Sequence, residues 1–124
     1  MKVSLPIVTK NEITNGMHVF ETTEREFELD NSLACQIRWE ARFPELAKAE
    51  TFVDYAVRVG KEESKSAAVV LAKMKAVYCL FDTPMSFVHF VKLFDFTRTG
   101  YVEELCARLK EIFEILLGSS SEKN

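Results

Sequence analysis

The stretch FELDNSLACQIRWEARF, residues 27–43, contains the point at which the chain changes its rhythm. Before it, Val3, Leu5 and Ile7 alternate with Ser4 and Pro6, which is the period of a half-buried strand. Within it, the period becomes four. Leu33, Ile37 and Ala41 form one apolar stripe, and Cys35, Trp39 and Phe43 form another. Asp30 or Asn31 can start the helix by accepting a backbone N–H bond. Pro44 ends it, because the residue before a proline is biased away from helical dihedrals. The switch at Asp30 divides the chain into a β-rich part, residues 1–29, and a helical part, residues 30–118.

On the N-terminal side, Pro6 cannot donate to a ladder and places its strand at an edge. Asn15-Gly16 is a turn signal, since both residues tolerate positive φ. Met17–Glu21 reads as a second strand. Arg25–Leu29 is either its continuation or a third strand, reached through a tight turn at Thr22-Thr23-Glu24. The β part is therefore a short antiparallel hairpin or a three-stranded sheet, and it needs a helix over one face to be stable.

On the C-terminal side, Thr51 caps a short helix whose apolar face is Phe52, Tyr55, Ala56 and Val59, with Gly60 as its stop. Ser64 caps a longer one. Ala67, Val70, Leu71, Met74, Val77, Tyr78 and Phe81 follow a helical stripe over four turns and mark the central core helix. Thr83-Pro84 restarts a helix that runs to Asp95, with the proline at the first helical position. Thr99 or Gly100 opens the last helix, with stripe Val102, Leu105, Leu109, Ile112, Phe113 and Leu116, closed by Gly118. The expected fold is α+β and predominantly helical, with about five helices. Trp39, Met74, Tyr78 and Leu109 are expected to share one core. Residues 119–124 are small and polar and read as a disordered tail.

A chain of 124 residues fits one domain, and with nearly half its residues apolar it can bury a core without staples. The formal charge of −3 argues against nucleic acid as the ligand, which needs a concentrated basic face. The basic clusters Lys61, Lys65, Lys73, Lys75 and Arg108–Lys110 are interleaved with acids and read as solvated helix surface. Cys35, Cys79 and Cys106 are far apart and lie among apolar residues, as reduced thiols acting as small hydrophobes do. They point to a reducing compartment. No signal peptide opens the chain, and no apolar run is long enough for a membrane span.

Chemistry-bearing patterns are sparse. His18 and His89 lie in different elements with no ligand at metal spacing. A Cys79–His89 catalytic pair is formally possible, but a cysteine on an apolar core helix is usually inert. The four glycines are isolated, so no phosphate-cradling loop is present. Neither a cofactor nor a metal is expected. The unusual segment is Phe81–Phe96, with five phenylalanines. Phe87, Val91 and Phe94 can face a core, while Phe90, Leu93 and Phe96 widen the apolar arc. Such a helix is either central to the core or offers a side to a partner, which makes Phe90, Leu93 and Phe96 the candidate partner surface.

Taken in order, the hairpin with Phe27-Glu28-Leu29-Asp30, the segment Arg38–Pro44, Thr51-Phe52-Val53-Asp54-Tyr55, Lys73–Tyr78, Leu93-Phe94-Asp95-Phe96 and Tyr101–Leu105 resemble the tail assembly chaperones of long-tailed bacteriophages and prophages of Gram-positive hosts. The likeness spans most of the chain and consists of packing patterns without a catalytic signature. It implies a non-enzymatic role in tail morphogenesis. The implied partners are the tape-measure protein and tail-tube subunits, together with self-association. The implied location is the host cytoplasm, with absence from the finished virion. In that family a longer form often arises by a frameshift near the end of the short one. The same composition would suit a structural tail or head–tail component that stays in the particle, or a non-viral interaction adaptor. An enzyme has the poorest support of the classes.

Overall fold

The computed structural model describes residues 1–118. Among these residues an N-terminal two-stranded antiparallel hairpin is followed by six helices, so the fold is α+β and mainly helical. Strand β1, Lys2–Thr14, pairs along its whole length with β2, Met17–Glu28. The turn is Asn15-Gly16, with φ of 53° and 77°. Two consecutive positive φ values are what a two-residue hairpin turn with the right twist requires. One irregularity lies between Val8 and Lys10, where Thr9 is the extra residue.

Strand β2 runs unbroken through Thr22-Thr23-Glu24, so the sheet has two strands and not three. Two β-branched threonines favour the extended chain, and that tripeptide lacks a residue suited to positive φ. The strand pair is about 40 Å long at the usual rise per residue. Its base is buried through Leu5, Ile7 and Phe27, and most of the rest is solvent-exposed.

The helices are α1 (Ala34–Arg42), α2 (Pro44–Ala49), α3 (Phe52–Gly60), α4 (Ala67–Leu80), α5 (Phe87–Val91) and α6 (Thr99–Leu117). Pro44 ends α1 as expected but also starts the short α2 at its first turn, which adds a sixth helix. Thr51 caps α3 through a 3.2 Å bond from the Asp54 amide. Ser66, not Ser64, caps α4, and Ser64 instead accepts the Ser66 amide. Helix α5 begins three residues later than Thr83-Pro84 suggests and ends at Val91, short of Asp95. The cause is upstream: Phe81 is extended because Leu29 bridges to it, with Asp30 N donating to Leu80 O and Asp82 N to Glu28 O. The chain then needs Thr83–Met85 to turn, and Ser86 takes the cap.

All four residues expected in the core are there. Trp39, Met74, Tyr78 and Leu109 belong to one buried cluster that also holds Leu5, Phe27, Phe81 and Phe90. Trp39 meets the rings of Phe43, Phe52 and Tyr55 in tilted and edge-on contacts, and its indole N–H donates to Glu50 O at 3.0 Å. Two arginines of α1 complete the far end of α4. Arg38 donates to Cys79 O at 2.6 Å, and Arg42 to Tyr78 O at 2.9 Å and Thr83 O at 3.1 Å. The last carbonyls of a helix have no partner within it, and α4 has no basic residue of its own there. The cations of α1 therefore satisfy both the orphan carbonyls and the negative end of the α4 dipole. Tail residues 119–124 lie outside the described residues.

Candidate interaction surface

Phe90 sits at the centre of the core and not on a surface. It is 0% exposed, and its ring lies between 5.2 and 5.9 Å from those of Phe94, Tyr78, Phe27 and Phe81. Leu93 and Phe96 are half-buried and pack against the same core. Leu93 also accepts the Val8 amide of β1 at 2.8 Å. The trio Phe90, Leu93 and Phe96 is therefore not brought together as an open patch. The wide apolar arc of this segment is used up by Phe27 and Phe81 on one side and Tyr78 on the other, as the reading of a central helix anticipates.

An open apolar surface lies on α1. Its face Cys35, Arg38, Trp39 and Arg42 turns inward, and its other stripe, Leu33, Ile37 and Ala41, is left outside. Leu33 is 90% and Ile37 69% exposed, and Val53 at the start of α3 is 58% exposed beside them. A groove of about 200 Å3 runs under Leu33 and Val53, floored by Cys35, Phe52 and Leu116. The three exposed side chains present on the order of 300 Å2 of apolar surface, the size at which a patch on a small domain begins to mark a contact site. The signal in the sequence was the second stripe on α1. Hydropathy hid which stripe goes inside, because two of the inward positions are arginines.

The titratable groups do not converge on this surface. Neither Asp30 nor Asn31 caps α1, whose N-cap is Leu33 with no side-chain bond; the Asp30 carboxylate instead accepts the Ser32 amide at 3.0 Å, ahead of the helix, and Arg38 at 3.1 Å. The Ser32 hydroxyl and amide, and then Arg38, hold that carboxyl down at about 2. Burial pushes the Cys79 thiol up to about 12, and burial also raises Cys35 and Cys106. Thiols so placed are poor nucleophiles. His89 lies on α5, exposed, its amide capped by Ser86, and no contact joins it to Cys79. Among the described residues, no three His, Cys, Asp or Glu side chains gather as metal ligands.

One lysine departs from the solvated-surface reading. Lys73 is buried, and its ammonium donates to Glu62 O at 2.5 Å, tying the α3–α4 loop to α4. It borders a cleft of about 560 Å3 with Lys61, Glu62, Glu103, Cys106 and Lys110, in which charges of both signs alternate.

No family model, curated protein or solved structure matches the chain. Among the described residues, no helix is long and apolar enough to cross a membrane.

Proposed function

We propose that the chain is a non-enzymatic assembly chaperone for the tails of long-tailed phages, which binds the tape-measure protein and tail-tube subunits and self-associates. One observation supports it above the rest: the apolar strip Leu33–Ile37–Val53, which holds the two most exposed large apolar side chains of the helices and borders a groove, whereas Val88, Ile115 and Leu117 are exposed elsewhere. An amphipathic helix laid along such a groove is a common mode of recognition, and a tape-measure protein is a long helical partner. The resemblance in segments such as Arg38–Pro44 and Thr51–Tyr55 supplies the biological setting, the host cytoplasm during tail assembly.

The test is co-purification with a phage tape-measure protein. Ile37→Glu and Val53→Glu place charges on exposed positions, so they should leave the thermal unfolding unchanged and abolish capture of the partner. Capture that survives both substitutions removes the strip from the function. Recovery of the chain in purified particles would favour the alternative, a structural tail or head–tail component.

A further inference from the structure

The hairpin has two outer edges, and the fold treats them differently. Along β1 the outward groups are those of Ser4, Pro6 and Val8. Ser4 O accepts from Arg108 at 2.6 Å, Pro6 O from Tyr101 at 2.6 Å, and Val8 N donates to Leu93 O. Pro6 thus lacks an N–H only where no ladder partner would sit. Along β2 the outward groups belong to the even-numbered residues, as the bonds of Glu28 O and Asp30 N to the 80–82 segment establish. Beyond that point, no backbone bond from another element among the described residues meets the outward N–H and C=O groups of Phe20, Thr22, Glu24 and Glu26. An open edge of this length is a template for another strand.

The side chains on that edge say which strand. Glu24 is neutralised by Arg108 at 2.5 Å, Glu26 lies 4.0 Å from Lys2, and Glu28 pairs with the Met1 amine at 2.7 Å. Glu21 and Arg25 make no ion pair among the described residues, and Arg25 lies over the Phe27 ring. Two copies of β2 can meet antiparallel only in registers that set even residues opposite even ones, since those carry the free groups. In the register that opposes Thr22 to Glu24 of the second copy, Thr23 faces its own equivalent. Glu21 then faces Arg25, and Arg25 faces Glu21. The neighbouring register one step lower sets Arg25 against Val19, and the one above sets Glu24 against Glu24.

We propose that β2 docks on β2 of a second copy of this chain over residues 20–26, the stretch that the 80–82 segment leaves free, giving a two-fold dimer joined there into a four-stranded sheet with two Glu21–Arg25 pairs across the joint. The pairs fall at non-hydrogen-bonded positions, where side chains approach most closely. The inference deepens the self-association in the reading above, and it uses a surface separate from the α1–α3 strip, so either can fail alone.

Sedimentation equilibrium on the full chain tests it. Glu21→Arg and Arg25→Glu should each weaken the dimer about tenfold or more, because both pairs become repulsive. An equimolar mixture of the two single variants should associate as well as the wild type, since every pair in the mixed dimer is again opposite in sign. Thr22→Pro, which removes an outward N–H and leaves the hairpin ladder whole, should give a folded monomer by circular dichroism and sedimentation. A wild type that stays monomeric to about 1 mM, a mixture no tighter than its components, or a dimer indifferent to Thr22→Pro would each overturn the proposal.

Discussion

Replacing Arg38 with Met keeps the aliphatic stem against the core and removes the guanidinium. Arg38 is only 14% exposed and makes three bonds to oxygen, to Cys79 O at 2.6 Å, Asp30 O at 2.9 Å and the Asp30 carboxylate at 3.1 Å, besides a longer one to Cys35 Sγ at 3.6 Å. A hydrogen bond involving a charged group contributes about 1.5–3 kcal/mol net. The three are not additive, and the Asp30 side can recruit water once the guanidinium is gone. The bond to Cys79 O is different, because it closes the last turn of α4 from inside a part-buried site. A loss of about 3 kcal/mol is therefore expected, a sizeable part of the 5–15 kcal/mol that holds a typical domain. Urea unfolding monitored by Trp39 fluorescence measures it, with the slope checked for constancy so that the midpoint reports stability. Arg38→Lys should recover only part of the loss, since an ammonium lacks the planar fork that spans Cys79 O and Asp30. A change below about 0.5 kcal/mol, the range of ordinary surface substitutions, would refute the view that α1 completes α4.

Leu109→Ala should cost about 2–5 kcal/mol in the same assay, as for other fully buried leucines, and a loss below about 0.5 kcal/mol would place it outside the core. Gly60→Ala, normally favourable within a helix, should destabilise, because the added Cβ would sit 3.0 Å from Phe113 Cδ1 where α6 crosses α3; a rise in melting temperature would show that the ring can move aside. Asp30 has a depressed pKa, so the unfolded chain binds more protons than the native one between about pH 4 and pH 2. Its stabilisation is complete above that window and lost as the pH falls through it, so the acid-induced decline in melting temperature should be shallower in Asp30→Asn. Equal slopes in wild type and variant would refute this.

The fold class and the core were readable because they rest on spacing. Alternation up to Leu29 and fours after Asp30 are statements about which face is apolar, and burial followed them at Leu5, Trp39, Met74, Tyr78 and Leu109. What escaped depends on partners distant in sequence. Arg38 and Arg42 lie inward because the carbonyls that end α4, some forty residues away, need donors. Gly60 reads as a helix stop and is also a clearance for Phe113. The start of α5 moved because Phe81 is drawn into a bridge with Leu29. The candidate surface failed for a related reason. Apolar arc tells how much side chain must be covered, and in Phe81–Phe96 the cover came from the hairpin through Phe27. The open strip came instead from a helix with two stripes and only one side to bury.

The clasp on β1 has a bearing on how the protein is made. Tyr101 and Arg108, which close the edge at Pro6 and Ser4, lie 95 and 104 residues further along the chain. A nascent hairpin leaves the ribosome long before either arrives, at a synthesis rate of about 5–20 residues per second. For those seconds the β1 margin is bare, and adjacent nascent chains could zip onto it. Pro6 interrupts the row of donors at the middle of that margin throughout the wait, so it acts as a guard during synthesis and later becomes the acceptor for Tyr101.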